Sequence, residues 1–401
     1  MKYHSIPVVG AWLLACRCVI GGVTPVLAPA PVEVVWSGSI ELEPGSTAII
    51  VGDSAADPEK EGARILQAYV LKRFGQEWPV LRENEASTAK VQVLIGQRGT
   101  SRRVADLCAK HAIDLSEATP GWDGYIIEVF CDAARTTVLI GGSNARGAAY
   151  GQDTLQQMLW EDKGKLKLAT ASVRDAPRIP WRGRPQTAVS HYLRPGEMDL
   201  YVSARINFID LRGGIYAFEP GAELNASEIL QAVDRAHRRG IFVFGTVNCG
   251  VPGGRHRDVL KTFEDILKLG ADGVWLSFDD KGPGEDPVTL TKEVLKLYHG
   301  CRTNQRLVAI TPPKGSYQKV DTEFNRKIMA VEGMSKGLWF WTGVPSTGAV
   351  EVAQSIGLKA RPGWWHNWPR MFTTHAYTGL PPLSLGWHQA GYDTLANGGE
   401  C

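Results

Sequence analysis

At 401 residues, 44% of them hydrophobic and 21% charged, the chain is long enough for two domains and a large core. A net charge of +2 excludes the basic footprint of a nucleic-acid-binding protein and any dominant acidic tail. The seven Cys do not form a disulfide framework in a chain this large and show no metal-ligand spacing. No metal or other cofactor is therefore expected, and the Cys beyond the leader read as buried thiols.

The first elements concern targeting. Lys2 precedes an apolar run from Ile6 to Ala15, too short to span a membrane and similar to a secretory leader. Leu13-Leu14-Ala15-Cys16 resembles a bacterial lipoprotein cleavage box, which would place a lipid on Cys16. Ala28-Pro29-Ala30 offers a second cleavage point. The expectation is a leader over residues 1–30 and a secreted or periplasmic protein, lipid-anchored if Cys16 is used. No later segment is long and apolar enough for a membrane helix.

A Pro-rich linker, Pro25 to Val32, leads into a small mixed α/β domain expected over residues 31–174. Thr47–Val51 and Val91–Gly96 read as strands, and Gly124–Val129 with Thr137–Gly141 as a strand pair. Helices are expected over Pro58–Phe74, stopped by Gly75, over Ser101–Ala112 and over Ala145–Leu159. The turn Ile140-Gly141-Gly142-Ser143-Asn144-Ala145-Arg146-Gly147 joins a strand to a helix as a phosphate loop does. It lacks both the Gly-Lys-Ser/Thr ending and the Gly-x-Gly-x-x-Gly spacing, so it reads as a tight turn.

From Asp175 to the C-terminus strands and helices alternate with a short period. Strands are expected at Arg184–Ser190, Ile206–Leu211, Ile241–Thr246, Val274–Phe278, Leu307–Ile310, Gly337–Trp341 and around Trp364–Asn367. Between them lie helices over Pro195–Ala204, over Asn225–Ala236 with an Asn225-Ala226-Ser227-Glu228 capping signal, and over Asp258–Leu269, Val288–Tyr298 and Asp321–Val331. Units of this length predict a parallel sheet, and nearly eight of them predict a (β/α)8 TIM-type barrel over 175–401. Ala390–Leu395 would be the eighth strand, leaving no room for a last helix. A doubly wound open sheet is the alternative.

The central strand carries the strongest chemical signal. Its apolar run, Val274-Trp275-Leu276-Ser277-Phe278, stops at Asp279-Asp280, and a breaker, Gly282-Pro283-Gly284, follows. Two carboxylates this close push one pKa up, which keeps one group protonated near neutral pH. Such a pair at the C-terminal end of a barrel strand can serve acid/base catalysis. A solvated loop cap or helix N-cap is the competing reading. The 13 Trp suit flat sugar faces as well as a core.

Several stretches resemble the β-hexosaminidase superfamily. Asp175-Ala176-Pro177-Arg178-Ile179-Pro180-Trp181-Arg182-Gly183 resembles the opening of its barrel. Tyr150-Gly151-x-x-Thr154-Leu155-Gln156-Gln157-x-Leu159 resembles the last helix of the domain before it. Gly270 to Asp280, Trp341-Thr342-Gly343-x-Pro345 and Trp365-His366-Asn367 are most similar to the O-GlcNAcase-like β-N-acetylglucosaminidases, glycoside hydrolase family 84. The resemblance implies removal of terminal β-linked N-acetylglucosamine by substrate-assisted retaining catalysis, in which the sugar's 2-acetamido oxygen forms an oxazoline. It assigns Asp279 to the acetamido N–H and Asp280 to protonation of the leaving oxygen and activation of water. It assigns Asn367, Trp365, Tyr317 and Trp341 to the substrate pocket, and implies a glycan or glycoconjugate partner.

The sequence also departs from that pattern. The family's Gly-Phe-Tyr-Gly is replaced by Thr187-Ala188-Val189-Ser190-His191, an expected Asp by Phe372, and the Lys after the second strand is missing, with Arg212 nearby. These changes fall on the sugar-gripping side. They leave open a non-catalytic glycan-binding barrel, or a glycosidase for another sugar such as a uronic acid held by Arg184, Arg212 or Arg255.

Overall fold

In the N-terminal part, hydrophobic runs dictate the interior of a sheet and polar alternation its edge. The computed structural model describes residues 25–132, 134–178, 180–184, 188–214, 216–279, 281–301, 307–313, 322–342 and 363–365. The strands are β1 (Glu33–Leu42), β2 (Thr47–Val51), β3 (Val80–Arg82), β4 (Val91–Gly96), β5 (Tyr125–Cys131), β6 (Thr136–Gly142), β7 (Leu159–Asp162) and β8 (Lys165–Asp175). They form one sheet in the order β1-β8-β5-β6-β4-β2-β3, with β7 also on β8. β2, β3, β4 and β6 run parallel, and β2 and β4 are buried throughout, as strands covered on both faces must be. Helices α1 (Asp57–Phe74) and α3 (Ala145–Gln157) cover one face and α2 (Arg102–Lys110) the other.

The ends of these helices follow the local sequence. Gly75 closes α1 in the left-handed conformation, φ 65°, where a Cβ would be strained. Ser101 and Asn144 cap α2 and α3 through side-chain oxygens that accept the Val104 and Gly147 N–H groups. The Gly141–Gly147 turn is filled by the chain itself. A Cβ on Gly147 would lie 2.0 Å from the Gly124 carbonyl oxygen, and the Ser143 and Gly147 N–H groups already donate to the Gly124 carbonyl and to Asn144 Oδ1.

Several features differ from the sequence reading. β1 and β8 pair antiparallel over nearly their whole length, an edge that the sequence reading does not contain. β1 alternates exposed and half-buried residues, and β8, largely buried, mixes Lys, Thr, Ser and Arg among its apolar residues, so neither shows a dense hydrophobic run. Cys108 and Cys249 are buried thiols as expected, but Cys131 and Cys301 are exposed because each closes an element at its solvent end.

The second sheet is built from β9 (Gly183–Arg184), β10 (Phe208–Leu211), β11 (Phe242–Asn248), β12 (Gly273–Ser277), β13 (Val308–Thr311), β14 (Leu338–Thr342) and β15 (Gly363–Trp365). Every adjacent pair is parallel, in sequence order from β9 to β15. The connections carry α4 (Val189–Tyr192), α5 (Glu197–Ser203), α6 (Ala226–Arg238), α7 (His256–Lys268), α8 (Pro287–Cys301) and α9 (Thr322–Met329). Asn225 caps α6 by accepting the Glu228 N–H. Strand–helix repetition in this order is the pattern expected for a β/α sheet. The eighth strand expected at Ala390–Leu395 lies outside the described residues.

The first strand of this sheet is shorter than expected. Val189 to Tyr192 form a helical turn, so Ser190 is not a strand residue. Val189 and Tyr192 are buried at i,i+3 spacing, and the Tyr192 hydroxyl donates to the Asp210 carbonyl at 2.9 Å. Burial of those two side chains favours the helical turn over an extended chain at Val189 and Ser190.

A charged seam joins the two sheets. Asp123, fully buried, accepts from Arg182 Nη2 at 2.9 Å, Arg146 Nε at 2.8 Å and Asn207 Nδ2 at 3.0 Å. Asp175, the last residue of β8, accepts from Arg205 Nη1 at 2.6 Å and the Tyr125 hydroxyl at 2.9 Å. On the helical side Asp199 bridges Arg64 of α1 and Arg239 after α6, at 2.9 and 2.7 Å. Burial pushes the Asp123 carboxyl up, but the Arg146 and Arg182 guanidiniums outweigh it and hold the group below the usual carboxylate range. Buried charges persist only when matched in this way.

Candidate active site

The interior-facing side chains of the second sheet come in storeys, because residues two apart on a strand share a face. The lowest storey is aromatic. Phe208 of β10, Phe244 of β11, Trp275 of β12 and Phe340 of β14 contact one another with ring centroids 4.8 to 6.2 Å apart. Trp181, from the segment before β9, packs against Phe208, Phe242 and Phe244 and closes this floor from the N-terminal side. Gly183 is obligatory there, since a Cβ would meet the Phe208 ring at 2.2 Å.

Above the floor the lining turns polar. Asp210 and Arg212 form a buried ion pair, and Thr246 Oγ1 donates to Asp210 Oδ2 at 3.3 Å. Asp210 Oδ1 is buried without a hydrogen-bond partner among the described residues. The Arg212 guanidinium lies 5.8 Å from the Trp275 ring, and Trp275 Nε1 donates to Thr311 Oγ1 at 2.8 Å. Arg212 is thus engaged inside the sheet, its charge matched by Asp210. Arg255 is committed as well, to Asp258 at 3.1 Å and the Pro220 carbonyl at 2.6 Å.

The C-terminal ends of the strands form the mouth. Asn248 ends β11, Ser277 ends β12 and sits opposite it in register, and Thr311 ends β13 opposite Ser277. Phe278 extends the pairing, its N–H donating to the Thr311 carbonyl at 2.9 Å. Asp279 follows at once and is only 6% exposed. The expected strand end therefore falls where the apolar run stops, with Asp279 held against the mouth and not extended into solvent. Cys249, beside Asn248, is no competing nucleophile: burial pushes its thiol well above its ordinary pKa.

The segment after the acid pair is laced to the loop after β11. The Glu285 N–H donates to the Val251 carbonyl at 2.9 Å, and Glu285 Oε2 accepts the Gly253 N–H at 2.9 Å. Gly284, at φ 69°, lets the chains approach so closely that a Cβ would lie 2.7 Å from the Val251 backbone. Asp279 thus emerges from a strand on one side and from a tied loop on the other.

A cavity of about 530 Å³ opens at this mouth, lined by the loop after β10, the ends of β11 and β12, and Lys281. This size suits a small ligand, for which pockets of about 300–1,000 Å³ are usual. Its wall includes Ser277, two residues before Asp279, and Lys281, which follows Asp280 in sequence. Sequence reasoning did not single out Asn248, Glu219, Tyr216 or Lys281. Only strand register and loop folding bring them together.

Of the residues expected at the site, Asp279 is at the mouth. The backbones of Trp341 and Trp365 stand at the same end of the sheet, Trp341 opposite Trp364 and Trp365 opposite Thr342. Asp280, Tyr317 and Asn367 lie outside the described residues, as do Phe372 and Cys16. Among the described residues no group of His, Cys, Asp and Glu is arranged to hold a metal, and no helix is long and apolar enough to cross a membrane.

With this geometry in view, the chain can be set beside known proteins. Residues 24–176 match the family model described as glycosyl hydrolase family 20, domain 2. No curated protein matches the chain. Among solved structures, CpGH84D superposes with a TM-score of 0.67 at 15% identity, covering 87% of this chain and 61% of that one. The chitobiase FjGH20 of Flavobacterium johnsoniae gives 0.51 at 14% identity, over 93% of this chain and 59% of its own. The family 20 exo-β-N-acetylglucosaminidase of Vibrio harveyi, solved with N-acetylglucosamine, gives 0.50 at 12%, over 84% and 60%. The fold is therefore a mixed α/β arrangement similar to that of the family 84 and family 20 hexosaminidases. The chain spans about three fifths of the length of these structures.

Proposed function

We propose that the protein is a glycoside hydrolase that removes terminal β-linked N-acetylglucosamine, or a related N-acetylhexosamine, by substrate-assisted retaining catalysis. The observation that carries this reading is Asp279, buried one residue past the pairing of the central strand at the mouth of a parallel sheet whose fold resembles that of hexosaminidases. A carboxylate there is shielded from bulk water, so its attraction for an amide N–H is stronger than in solvent. Asp279 orients and polarises the 2-acetamido group. The acetamido oxygen then attacks the anomeric carbon to give an oxazoline. Asp280 protonates the departing oxygen and later removes a proton from the water that opens the oxazoline.

Asn367, Trp365, Tyr317 and Trp341 would hold the acetamide and the sugar ring, and the second sheet would close as a (β/α)8 barrel over residues 175–401. The proposal includes a leader within residues 1–30 and a secreted or periplasmic location, with cleavage either after Ala30 or before Cys16, the second leaving a lipid on Cys16. The uronic-acid alternative finds less support, since Arg212 and Arg255 are both already engaged with carboxylates. A chromogenic N-acetyl-β-glucosaminide tests the reading together with a thiazoline mimic of the oxazoline. Turnover that the thiazoline inhibits competitively is expected. Binding of neither compound would overturn it.

A further inference from the structure

The face of the first sheet that α2 covers carries a charged cluster that plays no part in the seam. Gln92 of β4 lies on that face, two residues before Leu94, which packs on α2. It is only 1% exposed, and its amide oxygen accepts from two arginines at once. Arg103 Nη2 of α2 donates at 2.6 Å, and Arg135 Nη1 of the turn between β5 and β6 donates at 3.3 Å. Guanidiniums only donate, so the oxygen of Gln92 and not its nitrogen must face them. Two cations thus converge on one neutral acceptor. Arg103 is half-buried and Arg135 exposed, so the pair is reached from solvent on the Arg135 side.

Other arginine pairs of the molecule share a carboxylate: Arg146 and Arg182 share Asp123, and Arg64 and Arg239 share Asp199. Arg103 and Arg135 share only an amide, and neither guanidinium forms an ion pair among the described residues. The carboxylates beside them are committed to other donors. Glu83 accepts the Ser101 hydroxyl at 2.7 Å and the Arg102 and Arg103 N–H groups at 3.1 and 3.0 Å. Asp132 accepts the Ala134 and Arg135 N–H groups at 2.9 and 2.8 Å. Ser101 takes the Val104 N–H, so the first turn of α2 is already capped and the unmatched charge is that of the guanidiniums. Burial, and after it the Arg135 charge, hold Arg103 below the ordinary arginine pKa. Like charges so placed repel each other and gain when an anion enters between them.

We infer that Arg103 and Arg135, held together by the amide of Gln92, form a binding site for a tetrahedral oxyanion, a phosphate or sulfate group, on the first sheet. A guanidinium presents its N–H groups as a planar fork that matches two oxygens of such a group. Two forks arriving from different elements match a tetrahedral anion, whereas a flat carboxylate, with two oxygens, satisfies one fork. Because Arg135 is exposed, the oxyanion can be a free ion or the end of a monoester. The site belongs to β4, α2 and the turn after β5, so the inference does not depend on the glycosidase reading.

Calorimetry on the full chain tests this, in chloride buffer of fixed ionic strength, with inorganic phosphate, inorganic sulfate and phenyl phosphate as titrants. Saturable binding of the anions is expected. Arg135→Gln should weaken it by about tenfold or more, the loss expected when charge-assisted hydrogen bonds are removed. That side chain is exposed, so folding is spared. Gln92→Glu should abolish binding, because it supplies internally the carboxylate that the two guanidiniums lack. Thermal melts verify the fold of both variants, and if Gln92→Glu does not fold, Arg135→Gln decides alone. Binding of phenyl phosphate alongside the free ions assigns the site to an esterified group, and binding of the free ions only assigns it to an inorganic anion. If none of the three binds, or if a folded variant binds them as tightly as the parent chain, the site is refuted. The glycosidase reading is untouched by either result.

Discussion

The seam and the mouth use the same side-chain chemistry to different ends. At the seam, Asp123 is fully buried and its partner Arg182 only 2% exposed, and each charge has several partners in fixed positions. At the mouth, Glu219 and Lys281 pair at 2.7 Å, yet each remains half exposed. Coulomb attraction in water is weak and screened, whereas a matched pair inside the protein is costly to break. The seam therefore holds two sheets in register, and the mouth keeps its polar atoms available. Ion-pair distance alone would not distinguish them; solvation does.

The sharpest way to test this division is to substitute one group on each side and read both stability and activity. Asp280→Asn should lower kcat by about 10²- to 10⁴-fold on glycosides with poor leaving groups, because protonation of the departing oxygen is lost. It should have a smaller effect on a nitrophenyl glycoside and leave the melting temperature within about a degree or two. A large loss of stability would mean that the carboxylate belongs with the structural charges. At the seam the effect should be reversed. Asp123→Ala leaves two guanidiniums uncompensated and should cost about 3–5 kcal/mol in denaturant unfolding.

The aromatic floor provides a control without charge. Phe244→Ala should cost about 3–5 kcal/mol through lost burial and the cavity left behind. Acid should weaken the seam. Asp123 and Asp199 have carboxyl pKa values held below their ordinary value, so their contribution is complete above about pH 4, near the ordinary carboxylate pKa. It is lost as pH falls through the lowered folded values. Melting temperatures measured from pH 7 to pH 2.5 should fall in that range, and Asp123→Asn should flatten the fall. The smallest effect belongs to the mouth: Lys281→Ala should change stability by about 1 kcal/mol or less. A larger loss would move that pair into the structural class.

The legible and illegible parts of this molecule separate along physical lines. Helices α6 and α7, with apolar residues on one face and a cap or a Gly stop, could be read directly. So could β12, a dense apolar run that ends at a carboxylate pair. The segment from Asp175 to Gly183, read from its resemblance as the opening of a barrel, is physically the joint between the sheets. Asp175 meets Arg205, Trp181 completes the floor and Arg182 meets Asp123. Asp123 carries no local signal, standing just before the strand that begins near Gly124. Its partners lie 23 and 59 residues away and become neighbours only after both sheets form.

The same limit applied to the mouth. Asp279 could be placed from a local pattern, an apolar strand stopped by charge. Asn248, Glu219 and Lys281 could not, since their meeting depends on the register of β11 with β12 and on the pairing of Phe218 with Val247 of β11. Ser190 reads as strand from the alternation of elements along the chain, and the burial of Tyr192 beneath Asp210 decides otherwise. Local pattern reveals elements and their ends, and long-range pairing decides which polar groups share a solvent environment.

The most direct measurement compares hydrolysis of nitrophenyl N-acetyl-β-glucosaminide with that of nitrophenyl β-glucoside, which differs by replacing the 2-acetamido group with a hydroxyl. Catalysis through the substrate's own amide predicts turnover of the first and none above background of the second. Equal rates on both, or release from neither, would contradict the role given to Asp279 and Asp280.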